Sequence, residues 1–171
     1  LLPVSISITA LCLYICTVLI RMTITHATGT RLLSSGWYAR KVLFSQMLVL
    51  ISKVDWLTRK SPIYTAWVRC LGASIGQGCN LGDLLTDGYT LPEMLDVADF
   101  VNIGKGTLIA PAFVSHGKIT LGPVAIRSHV VVGCGSLVLQ NSELCTGSVI
   151  GDLSCLHPGV NGKPFAAPGQ C

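Results

Sequence analysis

Read in steps of six, Ile126–Leu156 runs IRSHVV, VGCGSL, VLQNSE, LCTGSV, IGDLSC, L. An aliphatic residue opens every step: Ile126, Val132, Val138, Leu144, Ile150 and Leu156. A serine stands four residues after an aliphatic at Ser136, Ser142, Ser148 and Ser154, and glycine follows directly at Gly133 and Gly151. An amphipathic helix needs apolar positions about 3.6 apart and a half-buried strand needs alternation, so this period is neither. It is an internal repeat whose units bury their apolar side by stacking on their neighbours. The expected geometry turns the aliphatic residue into a coil and fits the small residue near a corner. Glycine is expected where the backbone turns between flat faces. Stacked coils then lie about 4.8 Å apart, the ordinary strand spacing.

The same beat occurs twice upstream. Ile75 and Leu81 are six apart, with Cys79 in the small position; Leu91, Val97, Ile103 and Ile109 form a second run, with Gly104 and Thr107 in place. Two breaks separate the runs. Asp83–Thr90 contains the turn signal Asp87-Gly88, and Pro111–Gly122 contains His116-Gly117-Lys118. Roughly twelve hexads result, beyond the about three repeats that a stacked architecture needs.

The N-terminal part has another character. Half of the 171 residues are hydrophobic, 12% are charged and the mean hydropathy is +0.62. A soluble domain carries about 25% charged residues, which points to part of the chain sitting in lipid. Residues 1–22 carry no charge before Arg21, and twenty helical residues span about 30 Å, so a transmembrane helix is expected there. Residues 23–70 are expected to form a polar connection, then an amphipathic membrane-associated helix over Trp37–Lys60 and a short helix over Ile63–Leu71. Trp37, Tyr38 and Trp56 sit near the ends of the longer segment, flanked by Arg40, Lys41, Arg59 and Lys60. Aromatic ends favour the membrane interface, and the basic flanks place the following domain on the cytosolic side. A short second span over Val42–Leu57 and a soluble helix packed on the end of the repeat are the alternatives. A net charge of +4 does not argue for nucleic acid. The eight cysteines do not form an evident disulfide framework and read as small hydrophobes in a reducing compartment. No metal-ligand spacing is present, so no metal site is expected. The chain begins at Leu1, which is consistent with a fragment.

The pattern aliphatic-Gly-x-x-small-x resembles the hexapeptide repeat of left-handed β-helix proteins, many of them acyltransferases. A narrower resemblance rests on Leu71-Gly-Ala-Ser-Ile-Gly76 after Trp67-Val-Arg69, with Gly36-Trp-Tyr-Ala-Arg40, Leu95–Gly104 and Gly151-Asp-Leu-Ser154. These are similar to the membrane-associated C-terminal region of nonribosomal-peptide-synthetase-like proteins, including the poly-lysine-synthetase type. Arg127 and Ser128 depart from the Gly-acidic pair usual there, and no adenylation or carrier sequence is present. The resemblance implies a mainly β fold: a short left-handed parallel β-helix of about four coils over residues 71–159, three hexads to a coil, preceded by transmembrane or interfacial helices and followed by an exit segment, 160–171. It implies attachment to upstream adenylation and carrier domains, a homo-oligomer such as a trimer, and no tightly bound cofactor.

Under that resemblance, His116 is the candidate catalytic base. It would take a proton from an acceptor hydroxyl or amine that attacks a thioester on coenzyme A or a phosphopantetheinyl carrier. Gly117 would supply a backbone donor to the oxyanion and Lys118 would meet phosphates of the donor. Val160–Pro164 resembles the acyltransferase exit motif, which adds Gly162 and Lys163 to the donor site, with Lys163 replacing the usual asparagine. His129 is expected on the outer surface. Glu93, Asp96 and Asp99 form an acidic patch whose default is a solvated face. The competing function is a non-catalytic scaffold of a membrane-bound synthetase.

Overall fold

The computed structural model describes residues 2–22, 29–32, 36–52, 61–82, 84 and 90–156. Its architecture is mainly β and β-helix-like, with three parallel sheets. The first sheet stacks β2 (Ser74–Ile75), β3 (Leu95–Val97), β8 (Val124–Ile126) and β11 (Ser142–Leu144). The second stacks β4 (Asn102–Ile103), β9 (Val131–Val132) and β12 (Val149–Ile150), with Asn80 bridged to Asn102. The third stacks β5 (Leu108–Ala110), β10 (Leu137–Leu139) and β13 (Cys155–Leu156). In the last two coils, the pairs Val124↔Ser142, Val131↔Val149 and Leu137↔Cys155 are each 18 residues apart. Three six-residue steps therefore bring the chain back over itself, one strand per sheet.

The aliphatic beat is the core. Ile126, Val132, Val138, Leu144, Ile150 and Leu156 are at most 3% exposed, and Ile75, Val97, Ile103 and Ile109 join them in one cluster. Leu91 is buried but belongs to a second, outer cluster with Met94, Ile119 and Leu121. Pro92 explains the departure. With Pro92, the chain turns through a 3-10 segment, Pro92–Met94, instead of continuing the coil.

Numbering each hexad from its aliphatic residue, the fourth position carries the corner. It has positive φ at Gly78, Phe100, Gly106, His129, Gly135, Asn141, Gly147 and Leu153. Its N–H donates to the third-position carbonyl one coil back: Phe100 to Gln77 (2.8 Å), His129 to Asp99 (3.1 Å), Gly147 to Ser128 (3.0 Å). The glycine after the aliphatic has a different task from the one expected. Gly104 and Gly133 lack positive φ, but a Cβ on Gly104 would stand 2.6 Å from Cys134 N, and one on Gly133 2.5 Å from Asp152 N. These glycines permit close approach between coils, not the turn. The fifth, small position is also a donor. Cys79 Sγ to Ala98 O (3.0 Å), Thr107 Oγ1 to Gly133 O (2.8 Å) and Ser136 Oγ to Gly151 O (3.0 Å) are one bond repeated down the stack.

Helices close the N-terminal end. α1 (Leu2–Met22), α2 (Gly36–Ser52) and α3 (Pro62–Cys70) precede the coils. Phe44, Leu48 and Ile51 of α2 and Tyr64, Trp67 and Val68 of α3 join the same apolar cluster as the coil interior. This is the packing of helices on the end of the repeat that the alternative reading describes. Among the described residues no helix is long and apolar enough to cross a membrane. Residues 53–60, the end of the expected second helix, lie outside the described residues, as do 157–171. The first coil has no neighbour above it, and an arginine fills that role. Arg69 Nε donates to Ile75 O (2.9 Å) and Nη2 to Gly76 O (2.8 Å).

The polar connection after α1 is not featureless. It contains β1 (Gly29–Leu32), antiparallel to β7 (Lys118–Leu121), which pairs in turn with β6 (Ala112–Ser115). The break at Pro111–Gly122 is thus a β-hairpin. It accounts for the step from Leu95 to Val124, 29 residues, eleven more than a plain coil.

Candidate functional site at the hairpin corner

The corner that re-enters the first sheet carries the hairpin. Strands β6 and β7 pair up to Ser115↔Lys118, leaving His116 and Gly117 as a two-residue turn with φ 49 and 72. Positive φ at both central residues suits the right-handed twist of the flanking strands, and glycine adopts it without strain. One face of the hairpin, Ile119 and Leu121, packs on Leu91 and Met94, with Trp37 and Tyr38 alongside. His116, Gly117 and Lys118 are exposed at the far end. Lys118 directly precedes the packed Ile119, so the exposed tip begins one residue beyond the buried face. The structure brings the three together on one turn. Gly162 and Lys163 lie outside the described residues.

Beneath the hairpin is a buried charge cluster that the sequence did not single out. Glu93 sits in the 3-10 turn with its side chain 9% exposed. Arg21 Nε approaches Glu93 Oε2 at 3.8 Å, and the same nitrogen donates to Leu71 O at 2.8 Å. That oxygen of Glu93 accepts no hydrogen bond among the described residues. Lys41 of α2 is 8% exposed. Burial lowers its ammonium from 10.5 to about 8, against the opposing pull of Glu93. Arg21 and Lys41 read as membrane-flanking charges in sequence, yet both turn inward. Gly72 is the signal that was available: a Cβ there would meet Arg21 Nη2 at 2.7 Å, so the glycine makes room for the guanidinium.

The expected acidic patch is dispersed. Glu93 is in this cluster. Asp96 faces outward from β3 and lies 3.9 Å from Arg127, which also donates to Glu143 Oε1 at 2.8 Å, so Arg127 ties three coils together on the outer face. Asp99 accepts from Gln77 N (2.7 Å) at another corner. His129 is on the outer surface as expected, its ring stacked on Phe100 with centroids 5.3 Å apart. Among the described residues no cluster of histidine, cysteine or carboxylate side chains is arranged to hold a metal ion.

No protein-family model matches this chain. It is 26% identical over 98 residues to the Delta-poly-L-ornithine synthetase of Acinetobacter baumannii (strain AB307-0294). The match takes in 53% of this chain and 7% of that protein, so the similarity is to a small part of a far longer relative.

Proposed function

We propose that the chain is a left-handed hexapeptide-repeat module of a nonribosomal-peptide-synthetase-like protein, a rigid membrane-attached scaffold that holds the synthetase's other domains in place. The observation that carries the reading is the parallel stack, bonded coil to coil at its corners and joined to its helices through one continuous core. The partial similarity to a poly-ornithine synthetase supports the association with a synthetase. Membrane attachment is supported by the inverted dressing of the helices. Ile8, Leu11, Ile15, Leu19 and Met22 of α1 and Val42, Leu43 and Leu50 of α2 are exposed, while Thr17, Arg21 and Lys41 are buried. Polar groups turned inward and apolar groups outward suit a helix pair lying against lipid. In this reading the coils lie on the cytosolic side, which the basic flanks Arg40, Arg59 and Lys60 of the sequence support.

Acyl transfer is the second reading. It is favoured by the placing of His116 on an exposed turn outside the coils, where the side chain is open to solvent. Two variants of the full-length protein separate the readings, with product formed by isolated membranes as the assay. As a scaffold, the protein loses product formation when residues 72–159 are deleted, and keeps it within about twofold in His116→Ala. A general base contributes about 10²–10⁴-fold. A loss of that size in His116→Ala, with membrane content unchanged, overturns the scaffold reading in favour of transfer.

A further inference from the structure

At the upper edge of the first coil, Arg69 satisfies the carbonyls of Ile75 and Gly76, at the end of the first sheet. The second sheet has no such cap. The rung below shows which of its groups face upward. In the second coil, Phe100 N donates to Gln77 O (2.8 Å), Val101 O accepts from Asn80 N (2.8 Å) and Ile103 N donates to Asn80 O (2.8 Å). With Asn80 opposite Asn102, the counterparts of these groups one coil up are Gly78 N, Cys79 O and Leu81 N. Among the described residues none of the three has a hydrogen-bond partner.

Gly78, Cys79 and Leu81 all line a cleft of about 590 Å³ between α3 and the first coil. That size is within the roughly 300–1,000 Å³ of ligand sites. Pro62 and Thr65 of α3 wall the other side. A free strand edge is normally blunted by charge, by proline or by a covering element. This one opens into a cavity instead. Arg69 also lines the cleft, at the end where it holds Gly76 O. Its two backbone bonds use two of its five N–H groups. Among the described residues it has no carboxylate partner, and none of those lining the cleft is acidic.

We propose that this edge receives an extended segment of a partner protein, which adds parallel to the second sheet as one more strand and sets a carboxylate on Arg69. Parallel is the orientation of every pair in that sheet. The occupant then repeats what Gln77 and Asn80 do for the coil below them. The carbonyl of one residue accepts from Gly78 N, and the third residue after it donates to Cys79 O and accepts from Leu81 N. Its N-terminal end lies beside Gly76, where Arg69 stands, so the acidic residue belongs at that end. Backbone bonds give strand addition its affinity, and a guanidinium matches a carboxylate. The inference stands on the cleft and does not rest on the synthetase reading.

Titration calorimetry of the full chain in a mild detergent, with acetyl-Glu-Thr-Val-Thr-Val-amide as the probe, tests the site. The probe's fifth residue takes the bonds to Cys79 and Leu81, and its fourth residue points its N–H away from the edge. N-methylation of the fifth residue is expected to weaken binding about tenfold, and of the fourth by less than about twofold. Glutamine in place of the probe's glutamate is expected to weaken binding about tenfold. Thr65→Trp, which fills the cleft and leaves the edge intact, is expected to abolish binding. The proposal is overturned if the probe gives no binding heat at about 10 mM, beyond the millimolar affinities of weak sites. It is equally overturned if the two N-methylated probes bind alike, if the glutamine probe binds as the glutamate probe does, or if Thr65→Trp, with the wild-type circular dichroism spectrum, binds as wild type does. A dimer that the probe dissociates in sedimentation velocity would seat a second copy on this edge and overturn its assignment to a partner.

Discussion

Replacing Gly104 with alanine tests how the coils are held together. The added Cβ would stand 2.6 Å from Cys134 N, 2.7 Å from Gly133 C and 2.9 Å from Cys134 Cα, all backbone atoms of the next coil. Ordinary contact begins near 3.4 Å, so the two coils must separate locally by several tenths of an ångström. Four bonds cross this gap: Gly104 N to Val132 O (2.8 Å), Gly135 N to Lys105 O (3.0 Å), Leu108 N to Ser136 O (2.8 Å) and Thr107 Oγ1 to Gly133 O (2.8 Å). Overpacking of this kind costs about 1–3 kcal/mol, and weakening two of the bonds adds about 1 kcal/mol each. The lower chain entropy of the unfolded alanine variant returns about 0.4–1 kcal/mol. The expected destabilisation is about 3 kcal/mol. Gly106→Ala is the internal comparison. It meets open space and carries only the strain of φ +70, so about 1 kcal/mol is expected. Urea unfolding in a fixed mild detergent, followed by circular dichroism and by the fluorescence of buried Trp67, measures both. If Gly104→Ala costs no more than Gly106→Ala, the close approach of the coils at this position is wrong.

Two further outcomes follow from the corner and from the buried cluster. Lys41 is protonated in both folded and unfolded chains below pH 8; between about 8 and 10.5 the unfolded chain holds the proton and the folded chain does not, so stability rises with pH there. The rise attributable to Lys41 is about 3 kcal/mol, read as the difference between wild type and Lys41→Met in unfolding free energies from pH 7.5 to 10.5, and parallel curves sink the assignment. Leu153 is 80% exposed at φ 56, a position that Asn141 fills in another hexad. Leu153→Asn is therefore expected to stabilise by about 1 kcal/mol in the same urea assay, and a destabilised variant contradicts the strain at that corner.

The coil interior was legible in the sequence because one physical demand, an aliphatic side chain on every face, repeats at every strand. Ile126 to Leu156 needed no knowledge of partners far along the chain. The hairpin's position was legible as a break, but β1 was not: its partner, Lys118–Leu121, lies some ninety residues away, and a four-residue strand carries little pattern of its own. Leu91 kept the beat and still left the core, because Pro92 outweighs periodicity at the next residue. The charge cluster was illegible for a different reason. A basic residue at the end of an apolar run reads as a flank whichever way it points, and only the helix packing decides that Arg21 and Lys41 point inward. His116 was correctly placed on a break in the coils. Which groups a tip residue faces in an assembled protein is not written in a period of six.

The hairpin's eleven extra residues leave the pairing of all three strands downstream unchanged, since β8, β9 and β10 each resume on β3, β4 and β5 at the same offset. The stack therefore separates the length of its chain from the phase of its ladder. Lengthening such an excursion adds only a slowly growing closure cost, about 0.6 kcal/mol for each doubling. A corner of this kind is a free port in the architecture. Segments of quite different size can be installed or lost there by a single genetic event, and every rung below is read in the same frame as before.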